Sequence, residues 1–189
     1  MKLTKQQLRR IIKEELRLVT EARMWGVAGA GVLMICHDDR TCFLQKRSGR
    51  VTGGASEWSY ISGGIPIYGD DRVRHINTNS LPKEWIPAEE DPIYKETAIE
   101  EWGEETGQPF LGDIKEKIIS SQIKLWKFHL FIATCSLEQK NKMLGDKSDS
   151  WESESSGWVS IDDILTGKAK VWKVAFGEKV MNILSKYSS

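Results

Sequence analysis

Cysteine is scarce and odd in number: the chain holds Cys36, Cys42 and Cys135. Three cysteines without paired spacing argue against a disulfide framework and describe reduced thiols. A zinc site from Cys36, His37 and Cys42 is the alternative. Long apolar runs are missing as well. None approaches the roughly 20 residues of a membrane span, so no membrane association is expected. Nothing near the N-terminus has the apolar stretch of a signal peptide, and the cytoplasm is the expected compartment. Nor is there an excess of either charge, since Lys plus Arg number 27 and Asp plus Glu number 27. No overall field therefore draws the chain to nucleic acid, and any polyanion has to be held by a local site.

What is present is ordinary globular composition, 40% apolar and 29% charged over 189 residues. That fits one domain, 23–189, with an appended N-terminal segment. Residues 1–22 read as an amphipathic helix with Leu8, Ile11, Ile12 and Val19 in a narrow apolar stripe, a candidate for docking or for homodimer contact. WGVAGAGVLMIC (25–36) and TCFLQKR (41–47) read as strands around the turn HDDR, and WSYISGG (58–64) as a third. Residues 65–90 carry Pro, Gly and charge without periodicity and read as a loop. Asp91 and Pro92 open a helix that runs to Thr106 and stops at Gly107. KEKIIS (115–120) and IKLWKFHLFIATC (123–135) read as strands, and 136–156 as a polar loop. GWVSI then reads as a strand, IDDIL as a short helix, and 171–187 as a closing amphipathic helix. The order predicts a mixed α/β or α+β sheet with helices on its faces.

The segment IEEWGEETG (99–107) holds Glu100, Glu101, Glu104 and Glu105, with Glu96 a turn earlier. Like charges three or four apart on a helix repel by about 0.2–0.5 kcal/mol per pair, on the order of 1–2 kcal/mol for this set. No Lys or Arg lies between Glu96 and Gly107 to relieve them. Glu101, Glu104 and Glu105 fall within roughly a 100° arc of the helix, while Ala98, Ile99 and Trp102 occupy another side suited to burial. Three carboxylates on a rigid helix suit a hard divalent cation, Mg²⁺ above all, which bridges carboxylates to substrate phosphates. A solvated acidic face is the alternative.

EEWGEETG, with WSYISGG upstream and GWVSIDDIL downstream, is similar to the Nudix hydrolase family, a resemblance that spans about residues 24–165. Gly64 and Asp70 match the first part of the family's box, and Glu101, Trp102, Glu104, Glu105 and Gly107 match the second. The departures are specific. An insert of about 22 residues, near 71–92, splits the box. Asp70 stands where the family has Glu, Glu100 where it has Arg, and Gln108 at an apolar position. Either a cation from elsewhere compensates for Glu100, with Arg72 and Arg74 as candidates, or the site is weakened.

The resemblance implies an αβα sandwich and Mg²⁺- or Mn²⁺-dependent hydrolysis of a diphosphate linkage in a nucleoside diphosphate derivative. It implies Glu101, Glu104 and Glu105 as metal ligands, with the Gly64 carbonyl a further one. The general base comes from the helix, where Glu101 fits, or from a later loop, where Glu152 and Glu154 fit. Arg47 and Arg50, in a turn near Gly63 and Gly64, are candidate phosphate contacts. Trp58, Tyr60 and Trp126 either line the cleft or fill the core, while Trp102, Trp158 and Trp172 read as core. The substrate class stays open among ADP-ribose, dinucleoside polyphosphates, NADH, a modified nucleoside triphosphate and a capped RNA end. A catalytically silent domain that binds a nucleotide or a protein partner is the rival reading.

Overall fold

The run AGAGVLMIC forms strand β1 (Ala28–Cys36), and every residue of it is buried. An unbroken small-to-apolar run of this kind belongs in a strand covered on both faces. The computed structural model describes residues 28–49, 51, 54–65, 87–123, 126–143 and 153–188. The expected N-terminal helix, Arg50, Asp70, Arg72, Arg74, Glu152 and residues 71–86 of the insert lie outside these residues.

β2 (Thr41–Arg47) returns antiparallel to β1 through the turn at 37–40, pairing Met34 with Phe43 and Cys36 with Thr41. WSYISGG does not form one strand. It divides at Tyr60 into β3 (Trp58–Ser59), which pairs with β2, and β4 (Ile61–Gly64), which pairs with β1. One edge of β1 is thereby shared, with β4 along Gly29–Val32 and β2 along Met34–Cys36. The other edge takes β6 (Trp126–Cys135) in parallel, from Ala28 opposite Lys127 to Cys36 opposite Cys135. β5 (Asp113–Ile123) lies outside β6, and β7 (Ser153–Ser160) lies against β2, completing a seven-stranded mixed sheet among the described residues.

Alternation along the strands sends side chains to two cores. On one face Ala28, Ala30, Val32, Met34 and Phe43 pack with Tyr94, Ala98 and Trp102 of helix α1 (Ile93–Thr106). Leu33, Ile35, Leu44 and Tyr60 point to the other face. There they meet Ile161 and Ile164 of α3 (Ile161–Leu165) and Val180, Ile183 and Leu184 of α4 (Glu178–Lys186). Each fully buried large side chain contributes about 1.5–3 kcal/mol, so the two layers of helix are held by what each face buries. The layering is helix, sheet, helix.

Three local expectations are corrected. The stretch 136–156 is not all loop. It contains α2 (Leu137–Lys142), where the Ser136 hydroxyl accepts from the Gln139 N–H and the Gln139 carboxamide accepts from the Ser136 N–H. β7 then begins at Ser153, four residues earlier than GWVSI indicates. The closing helix starts only at Glu178, because the backbone of Val171 bridges to Trp58 and the Trp172 N–H donates to the Trp58 carbonyl at 2.9 Å. Pairing with a strand edge draws these residues out of the helix. Cys36 and Cys42 also cannot share a zinc ion, since they face opposite cores.

Candidate active site

Helix α1 is defined at both ends by the residues the sequence offers. Asp91 accepts from the Ile93 N–H at 3.0 Å, with Pro92 as the capping residue. At the far end Gly107 takes φ 66° and returns its N–H to the Gly103 carbonyl at 3.0 Å. Glycine enters that left-handed conformation without a Cβ penalty. Thr106 donates its hydroxyl to the Trp102 carbonyl and accepts from the backbone N–H of Gln108, a buried residue.

Tyr94, Thr97, Ala98, Glu101, Trp102 and Thr106 are buried along this helix, whereas Ile99 is only half-buried. Trp102 is enclosed by Phe43 at 5.0 Å and Phe110 at 6.0 Å between ring centroids. Glu96, Glu100 and Glu104 project into water, where solvent screens much of their mutual repulsion. Glu101 does the opposite. It is 7% exposed and lies against the sheet.

The glycine at 63 follows from that placement. A Cβ built there would stand 2.0 Å from Cδ and 2.1 Å from Oε1 of Glu101. The absence of a side chain in β4 thus makes a notch that takes one carboxylate of α1. A carboxylate out of water is costly unless matched by protons, charge or hydrogen bonds. Glu105, one turn on, is half-buried with Oε2 out of solvent, and Glu104 is exposed. One helix thus carries a buried, a half-buried and an exposed carboxylate at Glu101, Glu105 and Glu104.

The donor set fits a hard divalent cation by chemistry, since oxygen ligands from a few carboxylates are what such ions take. Among the described residues no three His, Cys, Asp or Glu side chains converge as a ready ligand cluster. Asp70, the remaining acid of the split box, lies outside the described residues.

The other expected site residues are dispersed. Glu154, on β7, accepts from the Gly49 N–H at 3.0 Å and from the Ser56 hydroxyl at 3.5 Å, with Lys46 Nζ at 3.5 Å. It ties β7 to the turn after β2. Arg47 lies over the Trp172 ring, 4.6 Å from its centroid. Trp58 is half-buried against the second core. Tyr60 is a correction: it sits between Phe128 and Phe176, with burial pushing its hydroxyl up, on the face away from Glu101. Gly64 continues β4 opposite Gly29. Two residues beside the site had no sequence signal, His129 and Tyr94, whose rings stack at 3.6 Å. Their proximity depends on strand register, which residue spacing does not reveal.

Solved Nudix hydrolases share this architecture. A MutT protein from Methanosarcina mazei Go1 superposes with a TM-score of 0.51 at 16% identity, over 85% of this chain and 91% of that one. The Nudix hydrolase RenU from M. smegmatis gives 0.53 at 13% identity, over 87% and 91%. A bifunctional NMN adenylyltransferase/ADP ribose pyrophosphatase from Francisella tularensis, complexed with AMP and a Mn ion, gives 0.52 at 11% identity, over 96% of this chain and 47% of that one. No protein-family model matches the chain, and no curated protein does. The likeness defines the fold: this protein has the fold of the Nudix hydrolases.

Proposed function

We propose that the protein is a divalent-metal-dependent hydrolase that cleaves a diphosphate linkage in a nucleoside diphosphate derivative. The observation that carries this reading is the Glu101 carboxylate held in the Gly63 notch, with Glu104 and Glu105 on the following turn of the same helix. Glu101, Glu104 and Glu105 would hold Mg²⁺ or Mn²⁺, with the Gly64 carbonyl as a further ligand. When bound, the ion lowers the pKa of a water and offsets charge on the diphosphate. The chain's own part is to fix the carboxylates, and α1, packed on the sheet by Trp102 and capped at Gly107, does that. Glu101 is the helix candidate for the general base. Glu154 is engaged with Lys46, Gly49 and Ser56, which favours a role in ordering the turn that follows Arg47 at the end of β2. That the Francisella neighbour is complexed with AMP and Mn supports a nucleotide ligand and this metal class.

A screen of nucleoside diphosphate derivatives with and without Mg²⁺ or Mn²⁺, products read by mass, tests the reading directly. Metal-dependent cleavage within the diphosphate is expected. Replacing Glu104 and Glu105 together by Gln should remove turnover while leaving the thermal midpoint unchanged or higher. Unchanged turnover in that variant would sink the site assignment.

The rival, a silent domain that binds a nucleotide or a protein partner, rests on two observations. Glu100 stands exposed where the family box has Arg, and no three-acid cluster converges among the described residues. Nucleotide binding without metal and without turnover would favour it.

A further inference from the structure

His129 is wholly buried on β6, and among the described residues neither ring nitrogen has a hydrogen-bond partner. Orphaned polar atoms in an interior are disfavoured, and each one calls for an explanation. What the ring does make is a face contact. It stacks on Tyr94 with an interplanar angle of 7° and centroids 3.6 Å apart. Tyr94 lies in the first turn of α1, two turns ahead of Glu101.

Strand register places these groups on one line. His129 is opposite Ala30 in the β1–β6 pair, and Ala30 is opposite Gly63 in the β1–β4 pair. All three face α1: His129 under Tyr94, Ala30 in the same core as Ala98, and Gly63 under Glu101. Two strand spacings measure about 10 Å, and the seven residues from Tyr94 to Glu101 rise about 10 Å along a helix. Tyr94, Ala98 and Glu101, spaced by four and three, share one helix face. The helix therefore crosses the sheet in step with the row beneath it, from ring on ring, past Ala98 and Ala30 of one core, to carboxylate on glycine. Small residues at the middle step bring helix and sheet close, so the two ends of the row set the roll and height of α1.

We propose that His129 is a positioning residue for Glu101: its stack on Tyr94 fixes α1 on the sheet so that the Glu101 carboxylate seats in the Gly63 notch. What Glu101 does there rests on the function proposed above; how it is seated does not.

The test is a cycle of variants in the full chain, read by thermal midpoint. Gly63→Ala alone should lower the midpoint by several degrees, because the added Cβ meets Glu101. In a His129→Ala background the helix is free to lift, and the loss from Gly63→Ala should shrink to half or less. In a His129→Phe background, which keeps a flat ring on Tyr94, the full loss should return. If His129→Ala does not fold, His129→Leu keeps the volume without the flat face and serves the same arm. Equal losses from Gly63→Ala in every background would overturn the inference, since separated sites without coupling behave additively. Mn²⁺ binding by electron paramagnetic resonance is the second readout. His129→Ala should weaken it at least fivefold and His129→Phe should restore it, whereas a purely structural role would lower the midpoint and leave Mn²⁺ affinity alone. A wild-type chain that binds no Mn²⁺ counts against the proposed function, while the midpoint cycle still decides the seating.

Discussion

Burial, reinforced by the Lys117 and Lys127 ammonium groups and opposed by Glu89 and Glu90, lowers the titration of His129 from 6.5 to about 4. The folded protein holds the ring neutral, while the unfolded chain takes up a proton below its ordinary value. The resulting stability is therefore fully present above pH 6.5 and is lost as pH falls from there towards 4. The loss is on the order of 3 kcal/mol once both states are protonated. Urea denaturation at about pH 7.5 and about pH 4.5 should show this fall, with a shallower one in His129→Phe. An identical pH dependence in the two proteins would assign the fall to the carboxylates instead. At Gly63 chemistry and folding depend on the same contact. Its alanine variant drives the Glu101 carboxylate out of the notch, so metal binding and turnover should fall together with the thermal midpoint. The acidic motif singles out Glu101, Glu104 and Glu105 as candidates in the sequence; that one is buried and another open was not legible there, because a spacing pattern contains no sheet. Tyr60 was illegible for the same reason, its face being set by a strand break that only pairing decides.

Helix α1 was legible from end to end, since Asp91, Pro92 and Gly107 are local signals that act through the backbone. Gly107→Ala would force a Cβ into φ 66° and should cost about 1–2 kcal/mol by thermal or urea unfolding. Glu100 faces water with Glu96 and Glu104 four residues to either side. Glu100→Arg turns two repulsive pairs into attractive ones and should stabilise by about 0.8–2 kcal/mol at low salt. The gain should fade in molar NaCl, where screening shortens to about 3 Å. Persistence at high salt would mean that packing, not charge, is responsible. Helix α2 did have a signal, the Ser136 and Gln139 capping box, overshadowed by the polarity of the stretch around it. Ser136→Ala should cost about 1 kcal/mol. The over-long closing helix shows the opposite case: Val171 and Trp172 fit an amphipathic pattern, but the edge at Trp58 offers their backbone a better partner.

For the whole molecule, β1 is the shared wall of both cores, and neither helix layer packs without it. Leu33→Ala, at a fully buried position of β1, should cost about 2–5 kcal/mol. Unfolding should remain a single transition by both fluorescence and circular dichroism, because one strand serves both faces. Two separated transitions would mean that the cores melt apart. The fold class was legible because strong strand patterns alternate with helices, whereas the order of the strands was not. The three buried thiols turn this architecture into its own reporter. Cys36 and Cys135 lie side by side under the α1 layer, and Cys42 lies under the other. Burial raises all three, Cys135 to about 12 with Cys36 beside it, so little thiolate exists while the sheet is closed. Alkylation with iodoacetamide then proceeds through opening alone. Loss of α1 first would label Cys36 and Cys135 ahead of Cys42, and opening of the entire sheet would label all three at one rate.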